Sequence, residues 1–199
     1  MQMAGVEPLD RSDLADLEPL LLAVEEVMGF VPNSMLTMAR KPDLLRSFSH
    51  LGRAVLGPGR LSRELKQLIA FVTSNAAGCR YCQAHTSSSA HRAGSSQEKI
   101  EAAFEYETSP LFDDAERAAL RLAQSAGLVP NQTTSEHFEV LREHFDDEAI
   151  VEIVSVISLF GYLNRWNDTM ATRLESEPMS FAEETLSTKG WASGKHGRD

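Results

Sequence analysis

The amino-acid sequence predicts an all-α fold, and three observations support this prediction. Apolar residues recur at three- and four-residue steps through nearly every segment, which is the period of an amphipathic helix. Regular alternation of apolar and polar residues, the pattern of a half-buried strand, does not extend beyond a few positions anywhere in the sequence. The chain has 199 residues, of which 42% are hydrophobic, so it can bury a core of its own without disulfide bonds.

Glycine, proline and capping residues separate the predicted helices. Ser34 is a candidate N-cap, because a serine hydroxyl can accept a hydrogen bond from a backbone N–H of the first turn. Gly78 stands at a C-cap position, and the Gly-Pro-Gly run at 57–59 predicts a turn. We predict helices over the ranges 14–28, 35–38, 44–55, 63–77, 79–90, 97–104, 113–126, 135–144 and 148–174.

Neither a signal peptide nor a membrane span is predicted. The longest apolar stretch, 149–163, is interrupted by Glu152 and is too short to cross a bilayer, so we expect a buried core helix there. The range 1–13 lacks the basic and apolar regions of a signal peptide. We therefore expect a cytoplasmic protein with no membrane partner, and in that reducing compartment a close cysteine pair is more often catalytic or metal-binding than structural.

The charge of the chain argues against a nucleic-acid partner. The formal net charge is -10, and such an acidic chain repels a phosphate backbone. The one basic cluster, Lys189, Lys195 and Arg198, stands in a Gly- and Ser-rich segment that reads as a frayed end. We expect three regions: an N-terminal helical region packing on the core, the core with the cysteine motif, and a partly flexible tail, over 1–60, 61–175 and 176–199.

Cys79 and Cys82 form the main candidate for chemistry. Their spacing places the sulfurs on neighbouring turns, close enough to form a disulfide. The pair stands at the beginning of a predicted helix, whose positive end stabilises a thiolate and lowers a cysteine pKa. This arrangement suits peroxide reduction: one thiolate attacks a peroxide oxygen and becomes a sulfenic acid, the second thiol condenses with it, and an external dithiol reduces the resulting disulfide.

Neighbouring side chains add to this chemistry and leave alternatives open. His85, three residues after Cys82, can act as a base or pair with a thiolate, and Tyr81 offers a hydroxyl. The two cysteines can instead be ordinary buried residues, or they can bind zinc together with His85 and His91. A single helical segment does not easily surround a tetrahedral metal, which disfavours the zinc site.

Five runs of residues, taken in their order, resemble a known family. They are GFVPN at 29–33, LKQLIA at 65–70, SNAAG at 74–78, CRYCQAHT at 79–86 and NRWNDTMA at 164–171. The set resembles the AhpD-like family of the carboxymuconolactone decarboxylase superfamily, and most closely its peroxidase-related branch. The resemblance spans about residues 25 to 175.

This resemblance implies an AhpD-like helical bundle that assembles into homo-oligomers, as a dimer, trimer or hexamer. It implies a two-cysteine peroxidase with no metal, haem or flavin cofactor. Carried onto this chain, Cys82 is the peroxidatic thiol, Cys79 is the resolving thiol, and His85 belongs to the proton relay that activates Cys82.

The chain departs from the family pattern at two positions. Family peroxidases have a histidine four residues after the second cysteine, where this chain has Thr86. His85 stands one residue earlier, so on a helix its side chain is rotated by about 100° from the position of the family's histidine. They also have a glutamate twelve residues before the first cysteine, where this chain has Gln67. Glu64, one turn earlier, is the candidate to orient His85 instead; the alternative is a solvated charge in the first turn of a helix.

The leading function is a thiol-dependent peroxidase that uses a peroxide substrate and an external dithiol reductant. One alternative is a non-redox decarboxylase or ring-opening lyase of the same superfamily, and another is a zinc- or disulfide-based sensing module.

The polar and aromatic cluster at 164–168 has two interpretations as well. It either packs between helices or subunits, or it forms a wall of the thiol pocket.

Overall fold

In the computed structural model, residues 5–197 are described, and they form ten α-helices without a strand in that range. The all-α prediction is confirmed, and the nine predicted helices are found. The helices are α1 (Glu18–Met28), α2 (Asn33–Met38), α3 (Pro42–Leu56), α4 (Arg63–Ala76), α5 (Arg80–Arg92), α6 (Gln97–Ala102), α7 (Asp114–Gly127), α8 (Ser135–Arg142), α9 (Asp147–Met170) and α10 (Ser176–Leu186).

Helix α4 lies at the centre of the bundle and packs against α5, α7 and α9. Ser62 caps it, because its side chain accepts a hydrogen bond from the N–H of Leu65 at 3.1 Å. Lys66 is buried on this helix, where its ammonium pairs with Glu152 of α9 at 3.3 Å and donates to two backbone carbonyls near the 57–59 turn. A buried lysine with these partners ties the centre of the bundle to the end of α3.

Helix α9 is the long apolar helix that the sequence predicts. By length and composition alone it is able to cross a membrane, but it packs against α3, α4, α5, α7 and α8 as a core helix does. One face of it stays exposed and, with α3, lines an apolar groove of about 580 Å³. Leu51, Val151, Val154 and Tyr162 are the large exposed apolar residues of this groove.

The N-terminal region has a smaller apolar cluster of its own. Buried residues of the first turns, α1, α2 and the start of α3 form it, among them Leu17, Leu21 and Met38. Phe48 and Leu163 pack against both this cluster and the main core. The N-terminal helices therefore join the bundle through α3 and α9.

Two predicted helix ends differ from the structure. Helix α2 begins at Asn33, after an extended Pro32, so the prediction that Ser34 caps it is wrong; Ser34 is buried inside the helix. Helix α9 ends at Met170 rather than 174, because Ala171 takes a left-handed conformation with φ of 49° and closes the helix there.

The segment after 175 contains a helix that the sequence analysis missed. Helix α10 packs against α5 and α6, and Trp191 and His196 are buried beyond it. The lysines expected in a frayed end are paired, Lys189 with Glu105 at 2.6 Å and Lys195 with Asp168 at 2.9 Å. Arg198, like residues 1–4, lies outside the described range.

Candidate active site

The cysteine pair lies where α4 turns into α5. Gly78, with φ of +75°, takes the left-handed conformation that ends α4, as the sequence predicts. Cys79 is the N-cap of α5, and its Sγ accepts a hydrogen bond from the N–H of Cys82 at 3.4 Å. A sulfur in the capping position lies at the positive end of the helix dipole, which favours its thiolate form.

The two sulfurs differ in their environment. Both cysteines carry free thiols and are buried, with 0% and 2% of Cys79 and Cys82 exposed. The hydrogen bond from the Cys82 side chain lowers the pKa of Cys79 despite its burial, and the N–H of Cys82 adds to this effect. Burial raises the pKa of Cys82 well above its ordinary value. This environment therefore favours negative charge on Cys79 over Cys82, with the Cys82 thiol donating a hydrogen bond to Cys79.

One carboxylate, that of Glu175, gathers two polar side chains of α5. Nε2 of His85 lies 2.6 Å from Oε2 of Glu175, and the Tyr81 hydroxyl donates to Oε1 at 2.9 Å. The Tyr81 and His85 rings stack with their centroids 4.3 Å apart. The motif at 29–33 reaches this site as well, because the N–H of Asn33 donates to Oε1 of Glu175 and the edge of Phe30 meets the His85 ring.

Glu175 is ionised in this environment. Burial on its own raises the pKa of a carboxyl group, but the charge and hydrogen bond of His85 together with backbone N–H groups hold the pKa of Glu175 below its ordinary value. The carboxylate thus fixes His85 and Tyr81 in one arrangement on α5.

The acidic partner of His85 was wrongly predicted. Glu64 does not meet His85: its carboxylate accepts a hydrogen bond from Ser95 at 2.8 Å and lies 3.4 Å from Lys99 of α6. Glu175, and not Glu64, is the carboxylate that pairs with His85. Because Glu175 stands 90 residues after His85, in the loop after α9, no local period or spacing relates the two.

Helix α9 reaches the thiol pair through the side chain of Asn167. Nδ2 of Asn167 donates to Sγ of Cys82 at 3.5 Å, and Asn167 is buried. Within the polar cluster at 164–168, Asn167 is therefore the residue that contacts the Cys82 sulfur. Asn164, one turn earlier, is buried as well, and its side chain has no hydrogen-bond partner among residues 5–197.

The C-terminal segment approaches the same site. Nδ1 of the buried His196 donates to the carbonyl of Thr172 at 2.7 Å, and its ring centroid lies 6.0 Å from that of Tyr81. Burial lowers the pKa of His196. Asp168, paired with Lys195, lies 3.7 Å from Nε2 of His196. The segment predicted as a tail thus packs on the side of α5 that carries Tyr81.

The four candidate zinc ligands do not converge. His85 pairs with Glu175, whereas His91 stacks on Phe181 at 5.1 Å and its Nδ1 lies 3.2 Å from the carbonyl oxygen of Ser95. Within the described range, no three His, Cys, Asp or Glu side chains are grouped so as to hold a metal ion.

Similarity to known proteins agrees with this fold. The model of the carboxymuconolactone decarboxylase family matches residues 42–125. The chain is 40% identical to the debrominase Bmp8, with a TM-score of 0.85, and the match covers 90% of this chain and 97% of Bmp8. A C82A variant of Bmp8 in complex with 2,3,4-tribromopyrrole matches with 39% identity and a TM-score of 0.86, over 90% of this chain and 96% of the variant.

Two further relatives extend the comparison. An uncharacterized peroxidase-related protein with an alkylhydroperoxidase AhpD core, from Ralstonia eutropha JMP134, is 27% identical; the match covers 92% of this chain and 96% of that protein, with a TM-score of 0.79. The uncharacterized protein YdfG of Bacillus subtilis strain 168 is 27% identical over 118 residues, which are 59% of this chain and 80% of YdfG. The chain belongs to the AhpD-like, carboxymuconolactone decarboxylase superfamily.

Proposed function

We propose that the protein is a thiol-dependent peroxidase that reduces hydroperoxides with the Cys79–Cys82 pair. The observation that carries this proposal is the polarised dithiol at the start of α5. Cys79 at the N-cap accepts a hydrogen bond from the thiol of Cys82, which favours charge on Cys79, so each sulfur is prepared for a different role. The likeness to a peroxidase-related protein of Ralstonia eutropha supports the choice of a peroxide as the substrate.

The reaction proceeds in two steps. The proton of Cys82 passes to Cys79, and the Cys82 sulfur attacks the terminal oxygen of the hydroperoxide ROOH. The O–O bond breaks, Cys82 becomes a sulfenic acid, and the alkoxide takes the proton from Cys79 and leaves as ROH. Cys79, again a thiolate, attacks the sulfenic sulfur; hydroxide departs as water with a proton from His85, and the Cys79–Cys82 disulfide forms.

Glu175 and Tyr81 act through His85. Because Nε2 of His85 is bound to Glu175, the orientation of the ring is fixed and Nδ1 remains to exchange protons at the site. Tyr81 stacks on the ring and holds the second carboxylate oxygen in place. An external dithiol then reduces the disulfide, which suits a reducing compartment such as the cytoplasm.

A second candidate, reductive debromination, is favoured by the likeness to Bmp8 over nearly the whole length of both chains. The same pair supplies the two electrons. The Cys82 thiolate attacks the bromine of an aryl bromide, the C–Br bond breaks, and the carbon takes up a proton. Cys79 then attacks the sulfenyl bromide, bromide leaves, and the disulfide forms.

Turnover assays with dithiothreitol test both functions. Peroxide consumption is followed with cumene hydroperoxide, and bromide release is followed with 2,3,4-tribromopyrrole. We expect the wild-type protein to consume the hydroperoxide, and we expect this activity to be lost in Cys82→Ser and in Cys79→Ser. His91→Gln is the matched control on the same helix and should retain the wild-type rate, because His91 lies away from the sulfurs and contacts Phe181.

Other results would reject the peroxidase. Bromide release without peroxide turnover selects debromination. Activity that survives in the double Cys→Ser variant supports a non-redox lyase. If mass spectrometry after stoichiometric peroxide finds both thiols still reduced, the redox role of the pair is wrong.

The assembly that the family resemblance implies is also a proposal. The exposed apolar face of α3 and α9 carries Leu51, Val151, Val154 and Tyr162 side by side. A contiguous apolar surface of this kind is typical of a protein–protein interface. We propose that a second copy of the chain covers it in a homo-oligomer.

A further inference from the structure

Asn167 is the one side chain of α9 that donates a hydrogen bond to a reactive sulfur. Its Nδ2 lies 3.5 Å from Sγ of Cys82, and only 1% of the residue is exposed. The thiol of Cys82 donates its own proton to Cys79, so its sulfur lone pairs remain to accept this N–H. The hydrogen bonds therefore run in one direction, from Asn167 to Cys82 and from Cys82 to Cys79.

The other half of the same amide is unused. Oδ1 of Asn167 is buried and has no hydrogen-bond partner among residues 5–197. Buried polar atoms are nearly always paired in folded proteins, so an unpaired acceptor beside a reactive sulfur indicates a binding position. Because Oδ1 and Nδ2 belong to one amide group, a hydrogen-bond donor that binds Oδ1 also lies next to the Cys82 sulfur.

We propose that Asn167 is a catalytic residue whose N–H stabilises the thiolate formed on Cys82 and whose carbonyl oxygen binds a hydrogen-bond donor of the substrate. The part concerning the substrate rests on the peroxidase proposed above. In a hydroperoxide, the terminal oxygen that sulfur attacks also carries the O–H. That O–H donates to Oδ1 while the oxygen faces Sγ, so the amide aligns the reacting atoms.

The site selects neutral substrates that carry a donor. Asp168 and its partner Lys195 are the charged side chains that act on the thiols from the edge of the site within the described range. An anionic substrate would have to bury its charge beside two cysteines that are at most 2% exposed, and burying a charge costs free energy. A hydroperoxide is neutral and meets the requirement, whereas a dialkyl peroxide has no donor for Oδ1.

The thiolate role is tested without any peroxide. The chain has two cysteines, so Cys79→Ser leaves Cys82 as the only thiol. Alkylation of this thiol by iodoacetamide is followed from pH 7 to 9, where the rate reports the thiolate fraction. We expect Asn167→Leu in this background to lower the rate about ten-fold, since a charged acceptor loses its donor.

Two variants separate electrostatics from access. Asn167→Asp keeps the shape of the side chain but presents an anion to the sulfur, and it should lower the rate at least as much as the leucine variant. Asn164→Leu replaces a buried amide one turn away that does not touch the sulfur, and it should stay within about two-fold of its parent. The role of Asn167 in stabilising the thiolate would be overturned if all variants were alkylated at the same rate. It would also be overturned if Asn164→Leu and Asn167→Leu lowered the alkylation rate equally.

The substrate role predicts a split between KM and kcat for cumene hydroperoxide, with Cys79 intact. Asn167→Asp keeps an acceptor, so kcat falls while KM stays near the wild-type value. Asn167→Leu removes the acceptor, so KM rises about ten-fold as well. An unchanged KM in Asn167→Leu would reject substrate binding by Oδ1. An enzyme without peroxidase activity would reject the proposed function but would leave the alkylation result as it stands.

Discussion

At the scale of single residues, environment separates groups that are chemically alike. Cys79 and Cys82 are both cysteines three residues apart, yet one lies at the cap of α5 and the other inside its first turn. The hydrogen bond from the Cys82 side chain, and after it the N–H of Cys82 at the cap, favour charge on Cys79, whereas burial disfavours charge on Cys82. The pair therefore has a direction along which a proton can move.

Glu175→Gln tests the carboxylate that orients His85. The amide cannot carry the charge that pairs with His85, so we expect peroxide turnover to fall about ten-fold or more. Glu177→Gln is the matched control, because Glu177 is exposed and pairs with Arg92 at 2.7 Å. An equal rate in both variants would show that Glu175 has no part in turnover.

The same substitution has a consequence for acid stability. The pKa of Glu175 is lowered by folding, so the ionised carboxylate stabilises the folded state above the ordinary glutamate pKa of 4.5. This stabilisation is lost as the pH falls through the lower pKa of the folded protein. Melting temperatures measured between pH 7 and 3 should therefore fall less steeply for Glu175→Gln than for the wild type, with Glu177→Gln following the wild type.

At the scale of elements, the site depends on how α4 ends and α5 begins. Gly78 adopts φ of +75°, a conformation that side chains with a Cβ rarely take. Its turn brings Cys79 to the cap and lets the N–H of Cys79 donate to the carbonyl of Ser74. The motif therefore needs a glycine directly before the first cysteine.

Gly78→Ala should lower the free energy of unfolding by about 1–2 kcal/mol, through strain of the left-handed backbone and not through a clash, since nothing lies within 4 Å of the added Cβ. Gly52→Ala is the control, because Gly52 lies inside α3 with open space around it. It should stabilise the protein by up to about 1 kcal/mol. Urea denaturation measures both, and a destabilised Gly52→Ala with an unchanged Gly78→Ala would contradict this account.

At the scale of the whole molecule, α9 has two faces with different partners. One face packs in the core and carries Asn167 to the sulfur, while the other lines the apolar groove with α3. The rings of Phe48 and Trp166 both stack on Tyr162, which lines the groove. The proposed assembly would thus rest on the helix that also forms part of the active site.

Val151→Glu tests this assembly. The residue is 64% exposed on the groove face, so the charge should leave the monomer fold intact but reduce the mass of the oligomer measured by light scattering. Val27→Glu is the matched control, because Val27 is 63% exposed on α1, outside the groove. A monomeric wild type, or the same mass for both variants, would contradict a homo-oligomer built on this face.

The sequence by itself determined the features that rest on local order. The period of apolar residues predicted the helices α1 to α9, and Gly78 predicted where α4 ends. The spacing of Cys79 and Cys82 predicted a close pair at a helix start. These features depend on neighbours along the chain, which a sequence shows directly.

Only the tertiary structure decided which distant groups meet at the pair. Glu175, rather than Glu64, pairs with His85, and Asn167 meets Cys82 across 85 residues of chain. The same packing orders the segment after 175, whose helix α10 is stabilised by contact with α5 and not by a strong period of its own. Hydrogen bonds between distant residues depend on how helices pack, and that arrangement leaves no fixed spacing in the sequence.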